Sequence, residues 1–470
     1  MKFNLLEQNP WWKNQKLIEN DLMIKEYEKK HYKFTPPLLK EFPKTNPGIY
    51  TLRGPRQIGK STTIKLLIRK LLRKNIPPMN IFFFTVDLIT NNKELSELIK
   101  QYLNNTNTKS PKYIFLDEIT LVDKWQLSLK QLADLGLIHD CIIFVTGSSA
   151  TDIRKGAERM PGRRGNHKKH DFVQLPLSFK EFLELMDKHF ENHPIDLKDI
   201  LYGKYNWKKE KLLLPEINKL FLNYLRTGGY PFIINSCKEN YNFDFYKNFF
   251  LDILTGEFEQ MGKNRTILKN ITTEIGLQLT KRITINKLHQ NIGTVGSHHT
   301  TKDYVKILAD SFIISVLNFI DINNKKINLN KQIKLFASDS IFFFLFHSIS
   351  HFTRPYSIMN NPQSLSVLVE NVVLNNLIKK CESRLYQGLS ELVNTFYWYS
   401  NSGKEIDFIL KKDNQLYPIE VKYRNQIRSS NFVTMKRIFP KGILLTKDKF
   451  FQTNKITAVP VSVFLLNMKF

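Results

Sequence analysis

One run constrains this chain more than any other. GIYTLR, Gly48 to Arg53, leads without a break into GPRQIGKST, Gly54 to Thr62, and then into the apolar-periodic IKLLIRKLL. The order is strand, loop, helix, and the loop has the GxxxxGK[ST] spacing in the context that this pattern requires. Gly54 and Gly59 let the backbone curl so that successive N–H groups face one concavity, and the helix N-terminus adds partial positive charge there. Pro55, Arg56, Gln57 and Ile58 then line a phosphate chain. Lys60 neutralises its β and γ oxygens, and Ser61, followed by Thr62, holds Mg2+. ATP and Mg2+ are the expected cofactors.

An acidic metal partner is needed at the end of a neighbouring strand, and YIFLDE, Tyr113 to Glu118, supplies one. Four large apolar residues predict a buried parallel strand with Asp117 at its C-terminal edge. Asp117 is expected to support Mg2+ and Glu118 to orient the attacking water. Another apolar strand, IFFFTV from Ile81, lies between the two motifs. That insertion and the adjacent Glu point to the ATPase branch of such folds rather than to a kinase. CIIFVTGSS ends in hydroxyls at Thr146, Ser148 and Ser149. Ser148 is a candidate γ-phosphate sensor, and a turn with a helix cap is the equal alternative. In ERMPGRRGN, Arg163 and Arg164 are candidates to reach a phosphate in cis or across a subunit boundary in a homo-oligomer, against the alternative of a solvated basic loop.

At 470 residues the chain is too long for one core and is expected to hold several domains. A formal charge of +27 points to a polyanionic partner, DNA first. The abundance of Lys, Asn, Ile and Phe also fits a compositional bias. Cys141, Cys237 and Cys381 form no CxxC pair, which argues against a disulfide framework or a zinc site. The start MKFNLLEQNPWW has no signal-peptide core, and no apolar run approaches the roughly 18 residues that span a bilayer; IFFFLF from Ile341 reads as a buried segment. A cytoplasmic protein without a membrane partner is expected.

NPWW, LRGPRQIGKST, YIFLDEI, VTGSS, PGRRG, LPLSFKEFL and YLRTGGYP together resemble the archaeal and bacterial P-loop, AAA+-like ATPases that carry a C-terminal restriction-endonuclease-like domain. The resemblance implies an α/β fold: a parallel-sheet P-loop ATPase core over 47–175, a segment 1–46 packing on it, a helical lid over 176–262 that closes on the nucleotide, and a nuclease-like α/β domain over 323–470. The lid carries Phe179, Phe182, Leu183 and Met186 on one stripe. Residues 263–322 read as a winged helix: ILKNITTEIGLQL, then TINKLHQNI capped by Thr284, then SHHTTKDYVKILADS before the strand FIISVL. Tyr304, Ile307 and Leu308 should face inward, with Lys302 and Lys306 outward toward DNA. A plain spacer is the alternative.

KEIDFIL from Lys404 and LYPIEVKY flank a turn. With Asp413 and Asn414 as its central residues, Phe408 opposes Ile419, Ile406 opposes Val421, Asp407 opposes Glu420 and Glu405 opposes Lys422. Two opposed carboxylates destabilise a hairpin by up to about 1 kcal/mol. A divalent cation held by Asp407, Glu420 and the Val421 carbonyl would offset this, with Lys422 on the same face to steer water. D-x12-E-x-K, preceded by a helix bearing Glu370, resembles the PD-(D/E)xK nucleases, and the resemblance assigns catalytic roles to Glu370, Asp407, Glu420 and Lys422. The functional expectation is an ATP-hydrolysing protein that acts on DNA as an ATP-regulated, metal-dependent nuclease. The alternative is a nucleotide-gated DNA-binding or signalling switch whose nuclease-like domain no longer cuts.

Overall fold

The computed structural model describes residues 4–43, 45–106, 111–186, 193–237, 242–293, 297–351, 355–382 and 388–470. The expected N-terminal segment and helical lid include residues 1–3, 44, 187–192 and 238–241, which lie outside that set. The chain forms two compact units, Met1–Leu175 and Pro176–Phe470.

In the first unit, strands β1 (Gly48–Arg53), β2 (Ile81–Thr85), β3 (Lys112–Asp117), β4 (Cys141–Thr146) and β5 (Asp171–Val173) make one parallel sheet in the order β2-β3-β4-β1-β5. Helices α1 (Lys60–Leu72), α2 (Asn92–Asn105), α3 (Trp125–Asp134) and α4 (Ala150–Glu158) connect them. The strands read as continuous apolar runs because both faces are covered. In β2, Phe82 and Phe84 join one core with Leu98 and Leu129, whereas Ile81 and Phe83 join the other with Ile64 and Ile68 of α1. Strand β4 lies between β1 and β3, so the VTGSS end sits between the phosphate loop and the Asp117 edge. The N-terminal segment covers the edge of β2. Asn9 accepts from Phe83 N at 2.7 Å and donates to Phe83 O at 2.9 Å, and both Trp11 and Trp12 donate their indole N–H to Ile81 O. That satisfies an edge that would otherwise template further pairing.

The second unit opens with helix α5 (Phe179–Met186) and the short β6 (Ile195–Asp196), followed by α6 (Lys208–Thr227) and α7 (Phe243–Gln260). Helix α8 (Arg265–Gln278) is followed by β7 (Arg282–Ile283), helices α9 (Ile285–Ile292) and α10 (His298–Asp310), and β8 (Ile314–Leu317). A small hairpin of β9 (Ile320–Asp321) and β10 (Lys326–Ile327) leads to β11 (Ile333–Ala337), which pairs antiparallel with both β7 and β8. The boundary expected at residue 322 therefore falls inside this module. The strand that closes its sheet comes from the far side of the hairpin.

Helix α11 (Ser340–His351) buries the IFFFLF run, and α12 (Pro362–Cys381) carries Glu370. Strands β12 (Thr395–Tyr399), β13 (Glu405–Lys412), β14 (Gln415–Lys422), β15 (Gly442–Thr446), β16 (Phe451–Gln452) and β17 (Ile456–Pro460) form a mixed sheet in the order β12-β13-β14-β15-β17-β16. Helix α13 (Val461–Asn467) and β18 (Met468–Lys469), which pairs with β6, end the chain. The stretch expected to be a nucleotide lid belongs to this unit. Helices α5 and α6 pack on α13, the Phe179 N–H donates to the Asn376 side chain of α12 at 2.8 Å, and Lys379 of α12 pairs with Glu181 at 2.5 Å. Among the described residues no helix is long and apolar enough to cross a membrane.

Candidate nucleotide site and carboxylate cluster

The loop between β1 and α1 needs backbone conformations that side chains resist. Gly59 lies at φ 93° and Gln57 at φ 62°, and a Cβ on Gly54 would stand 2.2 Å from the Gln174 carbonyl oxygen. No side chain caps α1, which suits a helix start whose N–H groups serve an anion. Lys60 is buried, and its ammonium donates to the Gly54 and Pro55 carbonyls at 3.0 Å each, across the concavity that phosphates would enter. Ser61 hydrogen-bonds the Asp117 carboxylate; burial raises the Asp117 pKa, the Ser61 bond opposes this, Glu118 adds to it and Lys60 opposes it. Hydroxyl and carboxylate beside one ammonium are the donor set that Mg2+ and a polyphosphate require, so these residues fit ATP with its metal.

Glu118 occupies the left-handed region at φ 56°, unusual for a residue with a Cβ. Its Oε2 accepts from the Ser148 N–H at 2.9 Å, which aims the carboxylate along the end of β4. Ser149 caps α4 by accepting from Asp152 N. The hydroxyl run thus divides its duties: Ser149 is the cap, and Ser148 meets Glu118 through its backbone. Both candidate arginines are held inside the unit. Arg164 donates to the two Asp171 oxygens at 3.1 and 2.9 Å and to the Ile49 and His170 carbonyls, tying β1 to β5. Arg163 pairs with Asp134 at 2.6 Å.

Sequence reasoning missed Gln174. Its backbone N–H extends the β5 pairing to Arg53 O at 2.8 Å, while its side chain donates to Ile58 O and accepts from the Thr63 hydroxyl, both at 2.9 Å. It braces the loop from outside. The available signal was a lone amide directly after the apolar strand DFV.

In the second unit Asp413 and Asn414 take φ 47° and 60°, a two-residue left-handed turn, and the ladder runs from Phe408 with Ile419 to Lys412 with Gln415. Asp407 and Glu420 are buried. Asp407 accepts from Val421 N at 2.8 Å, and the Lys422 ammonium stands 2.5 Å from Glu420 Oε1 and 3.7 Å from Asp407 Oδ2. Glu420 Oε2 is buried without a hydrogen-bond partner. Glu405, expected opposite Lys422, instead meets Lys334 at 2.8 Å and Arg282 at 3.0 Å, and Lys334 also reaches Glu370 at 2.7 Å. Burial pushes Glu370 up to about 7 and Glu420 up to about 8. Burial also opposes the Lys334 and Lys422 ammoniums, yet the neighbouring carboxylates outweigh it and hold both above the ordinary lysine range. Burial favours neutral carboxyls and the ammoniums favour ionised ones: burial prevails at Glu370 and Glu420, and the ion pairs prevail at Lys334 and Lys422.

Cations of the chain itself stand against the carboxylates to which the sequence pattern assigned a metal. Among the described residues no three His, Cys, Asp or Glu side chains are grouped to hold an ion. The carboxylates face ammonium and guanidinium groups instead. Neither Lys334 nor Arg282 was foreseen; the sign available was a single lysine inside the otherwise apolar strand IKLFA.

In the three-helix module, Thr284 caps α9 by accepting from Lys287 N at 3.0 Å, and Ser297 caps α10. Tyr304 and Leu308 are buried, Val305 completes that face where Ile307 was expected, and Lys302 and Lys306 are exposed.

Residues 46–183 match the family described as "AAA domain", residues 218–348 "Domain of unknown function (DUF8612)" and residues 366–464 "Domain of unknown function (DUF4143)". An uncharacterized protein of Methanocaldococcus jannaschii is 26% identical over 327 residues, covering 68% of this chain and 63% of that protein, so the chain spans under two thirds of that relative's length. Structural neighbours include the Walker-type ATPase of Pyrococcus abyssi (TM-score 0.41, 14% identity, 66% of this chain and 93% of that one). The ORC2 protein of Aeropyrum pernix is another (TM-score 0.33, 10% identity, 69% and 92%). The family match, the strand order and the loop geometry together make residues 46–183 an AAA-type P-loop ATPase domain.

Proposed function

We propose that this protein binds and hydrolyses ATP in its first unit and uses the nucleotide state to control how its basic second unit engages DNA, through a winged helix and a nuclease-like domain that docks rather than cuts. The observation that carries the reading is the convergence of Lys60, Ser61, Asp117 and Glu118 at one corner, with Glu118 fixed by Ser148. Lys60 exchanges the Gly54 and Pro55 carbonyls for phosphate oxygens. Ser61 and Asp117 would hold Mg2+, which would screen the phosphate charge. Glu118 orients the attacking water. The non-cutting reading follows from carboxylates already matched by Lys334, Arg282 and Lys422.

ATP turnover is the test. Lys60→Ala should abolish it, and Glu118→Gln should slow it by about 100-fold or more while ATP binding persists; unchanged hydrolysis in Lys60→Ala would put the phosphate site elsewhere. A second reading, metal-dependent cleavage, is favoured by the unpartnered Glu420 Oε2. Cleavage of linear, branched or single-stranded DNA with Mg2+ or Mn2+ and ATP, lost in Lys422→Ala, would establish it over the docking reading.

A further inference from the structure

Arg282 and Lys334 are directly opposed across the β7–β11 pair. Like charges in that relation repel, and the Lys334 side chain is only 1% exposed, so water does little to relieve it. One carboxylate resolves the conflict. Glu405 takes Lys334 on Oε1 at 2.8 Å and Arg282 on Oε2 at 3.0 Å, and the Lys334 ammonium continues to Glu370 Oε1 at 2.7 Å. The β7–β11 pair therefore brings two like charges that are unfavourable alone, whereas β13 and β14 bring three carboxylates, Glu405, Asp407 and Glu420, against one cation of their own, Lys422. Joined with Glu370 of α12, they make a partly buried cluster of four acids and three bases from five elements, with Lys334, Asp407 and Glu420 at its buried centre. The field of Lys334 reaches Asp407 as well as its two contacts.

We propose that Lys334 is the resident cation of this cluster in place of a divalent metal, and that with Arg282 it fastens the β7-β11-β8 sheet to the six-stranded sheet. This rests on the docking reading of the C-terminal domain and deepens it. A metal held by Asp407 and Glu420 would meet the Lys422 ammonium, 2.5 Å from Glu420 and 3.7 Å from Asp407, and the field of Lys334, which pairs with Glu370 and Glu405 alongside, and like-charge repulsion opposes it. The offset to carboxylate repulsion is built into the chain, from Lys422 within the hairpin and from Lys334 and Arg282 of the neighbouring sheet. Removing the ammonium while keeping the volume should leave Glu370, Glu405, Asp407 and Glu420 under-compensated, and a divalent ion then becomes their best remaining partner.

The test is Mn2+ binding to the nucleotide-free full chain, read by electron paramagnetic resonance. Wild type and Asp407→Asn should bind equal amounts, because any ion at the phosphate loop is common to both. Lys334→Met should gain one equivalent over wild type, and adding Glu420→Gln should remove it. An extra equivalent in wild type, lost in Asp407→Asn, would overturn the proposal, as would a folded Lys334→Met that gains nothing. If Lys334→Met does not fold, the wild-type comparison decides alone: equal binding supports the proposal and unequal binding refutes it. Neither outcome touches ATP turnover through Lys60 and Glu118, so failure here is separable from failure of the ATPase reading.

Discussion

Asp339 shows what a single buried carboxyl does when hydrogen bonds rather than an ion pair hold it. Its oxygens accept from Gly229 N at 2.8 Å and Ile341 N at 3.0 Å, and burial pushes its pKa up to about 6, against the two hydrogen bonds and the charge of Lys379. Between an unfolded value of about 3.9 and a folded value of about 6, the native state holds a proton that the unfolded chain has lost. Stability from this group is thus full below about pH 4 and falls as pH rises through 6, by roughly 3 kcal/mol in all. Urea titrations at several pH values should show that decline in wild type and not in Asp339→Asn; equal pH profiles would refute the assignment. Asp339 had no sequence signature. The convergence of Lys60, Ser61, Asp117 and Glu118 was legible because each pair stands at a fixed place in a short local pattern, a strand–loop–helix for the first two and the end of an apolar strand for the others. Gln174 meets Thr63 across 111 residues and Lys334 meets Glu405 across 71, so no local pattern could bring them forward.

At the scale of elements, two motifs that stood out only by resemblance acquire a physical meaning. LPLSFKEF and RTGGYP clasp each other: Leu177 N donates to Gly229 O at 2.8 Å, and Tyr224 donates its hydroxyl to Leu177 O at 2.7 Å. A Cβ on Gly229 would lie 2.3 Å from the Leu177 carbonyl oxygen, backbone against backbone, with no flexible side chain to yield. Gly229→Ala should therefore destabilise the second unit by more than about 2 kcal/mol, seen as a lower Tm for its transition. An unchanged Tm would mean that the two segments can part without loss. Glycine here serves close approach rather than a special φ. The hairpin register was recoverable by arithmetic because turn chemistry pins it and a one-residue slip would invert both faces. The three-strand module was only half recoverable. Its first strand is two residues long, too short for periodicity, and its last follows a second hairpin, with residues 284–332 between the two.

The whole molecule joins an AAA-type ATPase unit to a second unit in which ion pairs run through a cluster of carboxylates, and the chain carries a formal charge of +27. Net charge alone predicts attraction to any polyanion, so a specific claim needs a specific face. The exposed Lys302 and Lys306 are one turn apart on α10, whose other side buries Tyr304 and Leu308, so their replacement should alter binding without disturbing the core. Every phosphate that the protein no longer neutralises lowers the steepness of log affinity against log salt by about 0.9. Lys302→Glu with Lys306→Glu should therefore reduce the slope for duplex DNA by about 2 and weaken binding regardless of sequence. Fluorescence anisotropy over a series of salt concentrations measures this, and the same titrations with ATP or ADP present should give different affinities if the nucleotide state is communicated. A slope unchanged by the double substitution would move the DNA face away from α10, and equal affinities with both nucleotides would uncouple the two units.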